Sequence, residues 1–183
     1  MLVRLTTTLD APPDVVWRAL QRVDTFRYVT RGLMGMTADA RWPAEFRVGD
    51  VLTGRIWLAH VIPAWTHQVQ IVSLDPARRE IYTRENGGLL RNCNHRLRVE
   101  PLEARDNWVD SVAQCTDTLA QAADTVAQGT GAPPAANRCR YTDEFEVRAG
   151  RFTPLAAAII RAFFHYRQMR WRRLARRLAA ETR

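Results

Sequence analysis

The sequence predicts an α+β fold in which a curved antiparallel sheet of six to seven strands wraps around a long C-terminal helix and encloses an apolar pocket. Three observations lead there. The chain opens on a half-exposed strand followed by two short helices, its middle is a succession of β-rich runs separated by turn residues, and it ends in a long helical stretch with an apolar stripe.

In the opening strand Val3, Leu5, Thr7 and Leu9 alternate with Arg4, Thr6 and Thr8, the period of a strand covered on one face. Asp10 is read as the N-cap of a helix entered through Ala11-Pro12-Pro13, because prolines are tolerated in a first helical turn. Val16, Trp17 and Leu20 then share a face, and a second short helix or turn runs from Asp24 to Val29, ending before Gly32. Val51 to Val61 and Trp65 to Leu74 read as strands separated by Pro63. Arg79 to Glu85 begins a third run, and Gly87-Gly88 marks a hairpin into Leu90 to Val99. Cys139 to Arg148 is the last strand, with Tyr141, Asp143, Phe145 and Val147 on one face.

After Ala149-Gly150, Thr153-Pro154 reads as a cap followed by proline at the first helical position, and the helix runs to about Ala180 without an internal Gly or Pro. Ala156, Ile160, Phe163, Phe164, Trp171, Leu174 and Leu178 form its apolar stripe, which predicts Phe163, Phe164 and Trp171 to be buried. Residues 103–138 interrupt the pattern between two strands. Trp108, Val112, Cys115, Leu119, Ala122 and Val126 recur at steps of four and three, Asp106 stands where a cap belongs, and Gly129 to Pro134 forms a linker. A helical insertion is the reading adopted, although an Ala/Gln-rich loop fits the same thin stripe. The whole chain, 1–183, is read as one domain carrying this insertion, whose helix offers a face for a homodimer.

Composition excludes several functions. A hydrophobic content of 46% and a charged content of 25% suit a globular chain. The N-terminus carries no pattern of charged leader, apolar core and cleavage site, and no apolar run is long enough to span a bilayer, so a cytoplasmic protein without membrane insertion is expected. Cys93, Cys115 and Cys139 share no CxxC spacing, and His60, His67, His95 and His165 are scattered, so no metal and no cofactor are expected. All 27 basic residues are arginine, which rules out Schiff-base chemistry on a lysine. From Arg151 onward nine arginines face one acid, Glu181, so the formal net charge of +8 belongs to this segment. A solvated helix face explains that charge. Nucleic-acid binding would use it too, but no recognition motif accompanies it, and membrane-surface binding needs a free apolar face that the sheet should claim.

Leu9-Asp10-Ala11-Pro12-Pro13-Asp14-Val15-Val16-Trp17, Tyr141 to Val147 before Ala149-Gly150, and Phe164 to Arg172, in this order and spacing, resemble the START-related SRPBCC superfamily, and within it a bacterial branch. This is the helix-grip group that includes polyketide cyclases and lipid-transfer domains. The resemblance covers nearly the whole chain except 103–138, where relatives usually have a short turn. It implies a helix-grip fold with a pocket for a small hydrophobic ligand. It leaves open whether a carrier or a catalyst uses it.

Three periodicities place polar groups on apolar faces: Asp143 with Tyr141 and Phe145, His95 with Cys93 and Leu97, and Arg167 between Phe164 and Trp171. A buried guanidinium or carboxylate without a partner is costly, so pairing is expected, with a bidentate Asp143–Arg167 contact as the best-matched form. One reading is a structural ion pair with His95 hydrogen-bonded beside it. The other makes His95, Tyr141, Asp143, Arg167 and Trp57 a ligand-binding set, with His95 and Asp143 as candidate catalytic residues of a cyclase or dehydratase acting on a polyketide-like substrate. Trp57, Trp65, Tyr82 and Tyr141 are candidates to line the pocket, a position that plain core aromatics also occupy. Binding or carrying a small hydrophobic molecule with one polar group is the favoured function, and an interaction module built on the inserted helix is the weakest of the three.

Overall fold

The computed structural model describes residues 1–38, 42–58, 61–88, 90–102 and 137–181. The elements are β1 (Leu2–Leu9), α1 (Pro13–Leu20), α2 (Val23–Thr30), β2 (Met34–Ala38), β3 (Val51–Leu58), β4 (Ile62–Asp75), β5 (Glu80–Gly87), β6 (Leu90–Pro101), β7 (Cys139–Glu146) and α3 (Thr153–Glu181), the last entered through a 3₁₀ turn at Gly150–Phe152. The seven strands form one antiparallel sheet in the order β1-β7-β6-β5-β4-β3-β2, curled into a half-barrel with α3 along its concave side. Register shifts interrupt three neighbouring ladders, between Arg55 and Trp57, Ile71 and Ser73, and Glu85 and Gly87. Such irregularities bend and twist the strands that carry them, which is how a sheet curls around a helix.

The concave face is set by strand alternation. Leu52 and Ile56 of β3, Ile71 of β4, Ile81 and Thr83 of β5, and Cys93, His95, Leu97 and Val99 of β6 are all buried. On α3 the buried set is Ala157, Phe164, Arg167, Gln168, Trp171 and Ala175. This set is rotated from the predicted apolar stripe. Two alanines bring the helix close to the sheet, and Phe163, predicted to be buried, lies at the margin and is only partly covered. Two apolar clusters result. One joins Trp171 to Leu9, Trp17, Val99 and Tyr141, and the other joins Phe164 to Val3, Cys93, Phe145 and Val147.

Several local expectations need correction. Pro63 does not separate two strands but lies second in β4, opposite Trp57, where the start of a strand tolerates a residue without an N–H. Asp10 does not cap α1. Pro12 holds the N-cap position with no side-chain bond, and Asp10 forms ion pairs with Arg138 at 3.2 Å and Arg176 at 4.0 Å. β2 has no sequence signal of its own, since Met34-Gly35-Met36-Thr37-Ala38 is a poor strand former held by pairing with β3. The Gly87-Gly88 hairpin holds. Gly88 has φ +59°, and a Cβ there would meet the Trp65 ring at 2.7 Å.

β6 and β7 are paired as far as Pro101 and Cys139, and the Leu102 N–H donates to the Arg138 carbonyl at 3.1 Å, so the interruption leaves and rejoins the sheet at adjacent points. The predicted helix within it, and the homodimer read from that helix, fall outside the described residues. Several α3 arginines make internal contacts. Arg170 and Arg177 lie over the Tyr28 ring, and Arg172 donates to Thr7 at 2.7 Å. No helix among the described residues is long and apolar enough to cross a membrane.

Trp171 is 1% exposed and Leu155, on the same helix, 60%. Truncating a buried aromatic typically costs ~3–5 kcal/mol and an exposed side chain less than ~0.5 kcal/mol. Trp171→Ala should therefore lower the urea midpoint strongly and Leu155→Ala hardly at all, and equal midpoints would contradict this placement of α3.

Candidate functional site

Between the two apolar clusters lies a belt of polar side chains, each the next inward residue of its element. Asp143 falls between Tyr141 and Phe145 on β7, His95 between Cys93 and Leu97 on β6, and Arg167 one turn from both Phe164 and Trp171 on α3. Asp143 is fully buried, and His95 and Arg167 are nearly so.

Asp143 Oδ1 is the hub. It accepts the Tyr141 hydroxyl at 2.9 Å, faces His95 Nε2 at 3.3 Å and pairs with Arg167 Nη2 at 3.3 Å. Arg167 Nη2 also donates to the Tyr141 oxygen at 3.0 Å. The expected bidentate Asp143–Arg167 contact is therefore absent. The Tyr141 hydroxyl engages both partners, one guanidinium nitrogen meets one carboxylate oxygen, and Asp143 Oδ2 and Arg167 Nε are buried without a hydrogen-bond partner.

The belt continues past His95. Its Nδ1 lies 2.8 Å from Glu85 Oε1, which also accepts the Thr83 hydroxyl at 3.2 Å, and Glu85 Oε2 lies 3.1 Å from His67 Nε2. Both ring nitrogens of His95 thus face carboxylate oxygens. A carboxylate only accepts, so satisfying both contacts requires the doubly protonated imidazolium. The ring stacks on Phe164 at 5.0 Å and meets Phe145 edge-on at 5.2 Å, and the Arg167 guanidinium lies 5.3 Å from the same Phe164 ring. Both cations thus lie against one aromatic ring, which adds cation–π stabilisation.

Burial and charge work against each other throughout. Burial favours the neutral imidazole, but the Glu85 charge and the hydrogen bonds to Asp143 and Glu85 outweigh it, against opposition from Arg167, and raise the His95 pKa above its ordinary value. Burial pushes Asp143 up, yet the Arg167 charge and the contacts from His95 and Tyr141 leave it below the usual carboxylate value. Glu85 follows the same pattern, with burial overcome by the His95 charge and by hydrogen bonds from His67 and His95. Burial and the Asp143 charge raise Tyr141, which remains a neutral phenol.

This belt forms one wall of a cavity. Phe26, Trp42 and Phe46 close its outer side, Ile71 and Ile81 line the sheet side, and Phe163 lies along the helix side. The polar wall is His67, Thr83, Glu85, His95 and Arg167. The interior free volume is about 90 Å³, within an envelope of about 710 Å³ that includes the open mouth.

Of the ligand-binding set expected from sequence, His95 and Arg167 reach this wall. Tyr141 and Asp143 join the same network from behind it and do not line the cavity. Trp57 is not brought to it. Leu52 and Ile56 face inward on β3, so Trp57 has the opposite parity, and its indole donates to Thr37 at 3.2 Å beside an outer groove. Glu85 and His67 were not foreseen, although Ile81, Thr83 and Glu85 alternate inward on β5 as His67, Val69 and Ile71 do on β4. No cluster of ligating side chains suited to a metal occurs among the described residues.

No protein-family model matches the chain, and no curated protein matches it. Solved structures do. A protein from Chromobacterium violaceum aligns at TM-score 0.60 and 13% identity over 95% of this chain and 96% of its own. A START superfamily protein from Mycobacterium smegmatis aligns at 0.59 and 11%, over 97% and 98%. Truncated norcoclaurine synthase from Thalictrum flavum aligns at 0.56 and 11%, over 95% and 92%. Likeness at these identities shows the fold alone, which is the helix-grip arrangement of a curled antiparallel sheet around a long C-terminal helix.

Two outcomes follow for stability. Removing one partner of a buried ion pair typically costs ~3–5 kcal/mol, because the other charge is left uncompensated. Arg167→Met should lose that much in urea unfolding, while Arg173→Ala, at an exposed position of α3, should change little. The pH profile follows from linkage. The raised His95 pKa contributes stability that is fully present below about 6.5, the ordinary histidine value, and lost as pH rises through the folded value. The lowered Asp143 and Glu85 contribute stability present above the ordinary carboxylate range and lost as pH falls through their folded values. Melting temperatures should thus decline on both sides, and His95→Gln should flatten the alkaline limb while also weakening the acid one, because the His95 charge helps to hold Glu85 and Asp143 down.

Proposed function

We propose that this protein binds or carries a small hydrophobic molecule whose polar group meets the wall formed by His95, Arg167, Glu85, His67 and Thr83, with Tyr141 and Asp143 holding that wall from behind. The observation that carries the reading is an apolar cavity with a hydrogen-bonded polar patch at one side, the common form of small-molecule sites. The modest interior volume suits a compact ligand, or the apolar end of a longer one.

Binding accounts for the geometry better than turnover. A proton carrier needs a ring nitrogen that can reach the substrate, and both His95 nitrogens already face carboxylates. A guanidinium holding a developing oxyanion must turn an N–H to the substrate, and Arg167 turns Nη2 to Asp143 and Tyr141 while its Nε is buried. A second reading, a cyclase- or dehydratase-type enzyme acting on a polyketide-like substrate, draws on one feature: the Glu85 carboxylate lies between two imidazoles on the cavity wall. In that reading His95 moves the proton and Asp143 orients it.

Native mass spectrometry of protein purified from its own host should detect a co-purifying organic molecule. His95→Gln should weaken binding of that molecule while generating no change in its chemical form. Loss of product formation with affinity and melting temperature intact would establish the enzyme instead.

A further inference from the structure

We infer that the part of the ligand enclosed by the cavity is electrically neutral, so that the site selects compact uncharged aromatic or alicyclic molecules over carboxylates of the same shape. This inference rests on the cavity being a ligand site, as proposed above, and concerns the chemical class that reading leaves open.

The buried charges at the cavity cancel. The charged groups of the belt are the carboxylates of Glu85 and Asp143, the Arg167 guanidinium and the His95 imidazolium, two of each sign. Each cation is already placed against an anion. His95 lies between the two carboxylates, and Arg167 Nη2 lies against Asp143 and the Tyr141 hydroxyl. His67 needs one proton, at Nε2, to meet Glu85, and its Nδ1 is buried with no partner. A neutral His95 would leave the belt with a net negative charge, which opposes an anion further. In neither state of His95 does the wall hold an uncompensated positive charge.

A carboxylate brought inside would lose its water without gaining a cation, at a desolvation penalty of several kcal/mol. An ammonium fares no better, because Glu85 already receives Thr83 and His95 on one oxygen and His67 on the other. A hydroxyl, carbonyl or ether needs only a hydrogen bond. The cavity wall presents the Thr83 hydroxyl and the Arg167 guanidinium, and the aromatic wall of Phe26, Trp42, Phe46 and Phe163 suits a flat ring.

The test compares phenol with benzoate, one ring carrying a neutral or a charged group, by titration calorimetry on the full chain near neutral pH. The phenol should bind at least tenfold more tightly. Glu85→Gln, which removes one negative charge at constant shape, should narrow that ratio at least tenfold by admitting the carboxylate. Equal or tighter benzoate binding by the unaltered chain would overturn the inference while leaving the binding reading intact. Binding of neither probe would overturn both. An unchanged ratio in a folded Glu85→Gln variant would overturn the charge-balance explanation, and the preference in the unaltered chain is measurable even if that variant does not fold.

Discussion

The structure turns on one guanidinium buried between a helix and a sheet. Arg167 sits at the centre of the gripped face of α3, where a charge without a partner would cost several kcal/mol, so the sheet must present an anion opposite it. Asp143 is that anion, and burying it raises the same requirement again. Its Oδ1 collects Tyr141, His95 and Arg167, and His95 extends the chain to Glu85 and His67. Buried ion pairs often contribute little net stability compared with apolar residues of the same size. Their effect here is geometric. Apolar contacts along a helix tolerate sliding and rotation, whereas a directional network between α3, β7, β6, β5 and β4 has one alignment that satisfies it.

That alignment decides where the cavity lies. Trp171 and its cluster fill the half-barrel at one end, and Phe164, Phe145 and Val147 fill it near the N-terminal part of the helix. The belt separates the two, and on the β3–β5 side the sheet curls away from α3 to leave space that Phe26, Trp42 and Phe46 close. The three register shifts lie in the ladders of this same region, so the curl that opens the space and the strands that line it share one origin.

Those shifts also explain what was legible in the sequence. His95, Asp143 and Arg167 stand on segments whose periods run unbroken, 3.6 on α3 and two on the stretches of β6 and β7 around them, so each was assigned the correct face from alternation alone. Trp57 stands beside a register shift in β3, where alternation gives no parity and aromatic character is the only guide. Glu85 and His67 alternate with Ile81 and Ile71, but they stand near the ends of their strand runs, where the alternation is too short to single them out. The rotation of α3 was hidden for another reason. Side-chain size weights a predicted stripe toward Phe163, while close packing weights the real one toward Ala157 and Ala175. β2 left no trace because its pairing, and not its composition, makes it a strand.

A closed network also bears on chemistry. Catalytic groups are useful when one of their valences is kept for the substrate, and the belt leaves few: both His95 nitrogens, both Glu85 oxygens and Arg167 Nη2 are engaged. Turning this wall to proton transfer would require freeing a His95 nitrogen, which strands either Glu85 or Asp143 as a buried anion facing one donor fewer. The groups that would suffer are the ones aligning α3 with the sheet. Coupling between the site and the grip thus keeps this wall rigid and preorganised, so little ordering is left to do for a molecule that meets it.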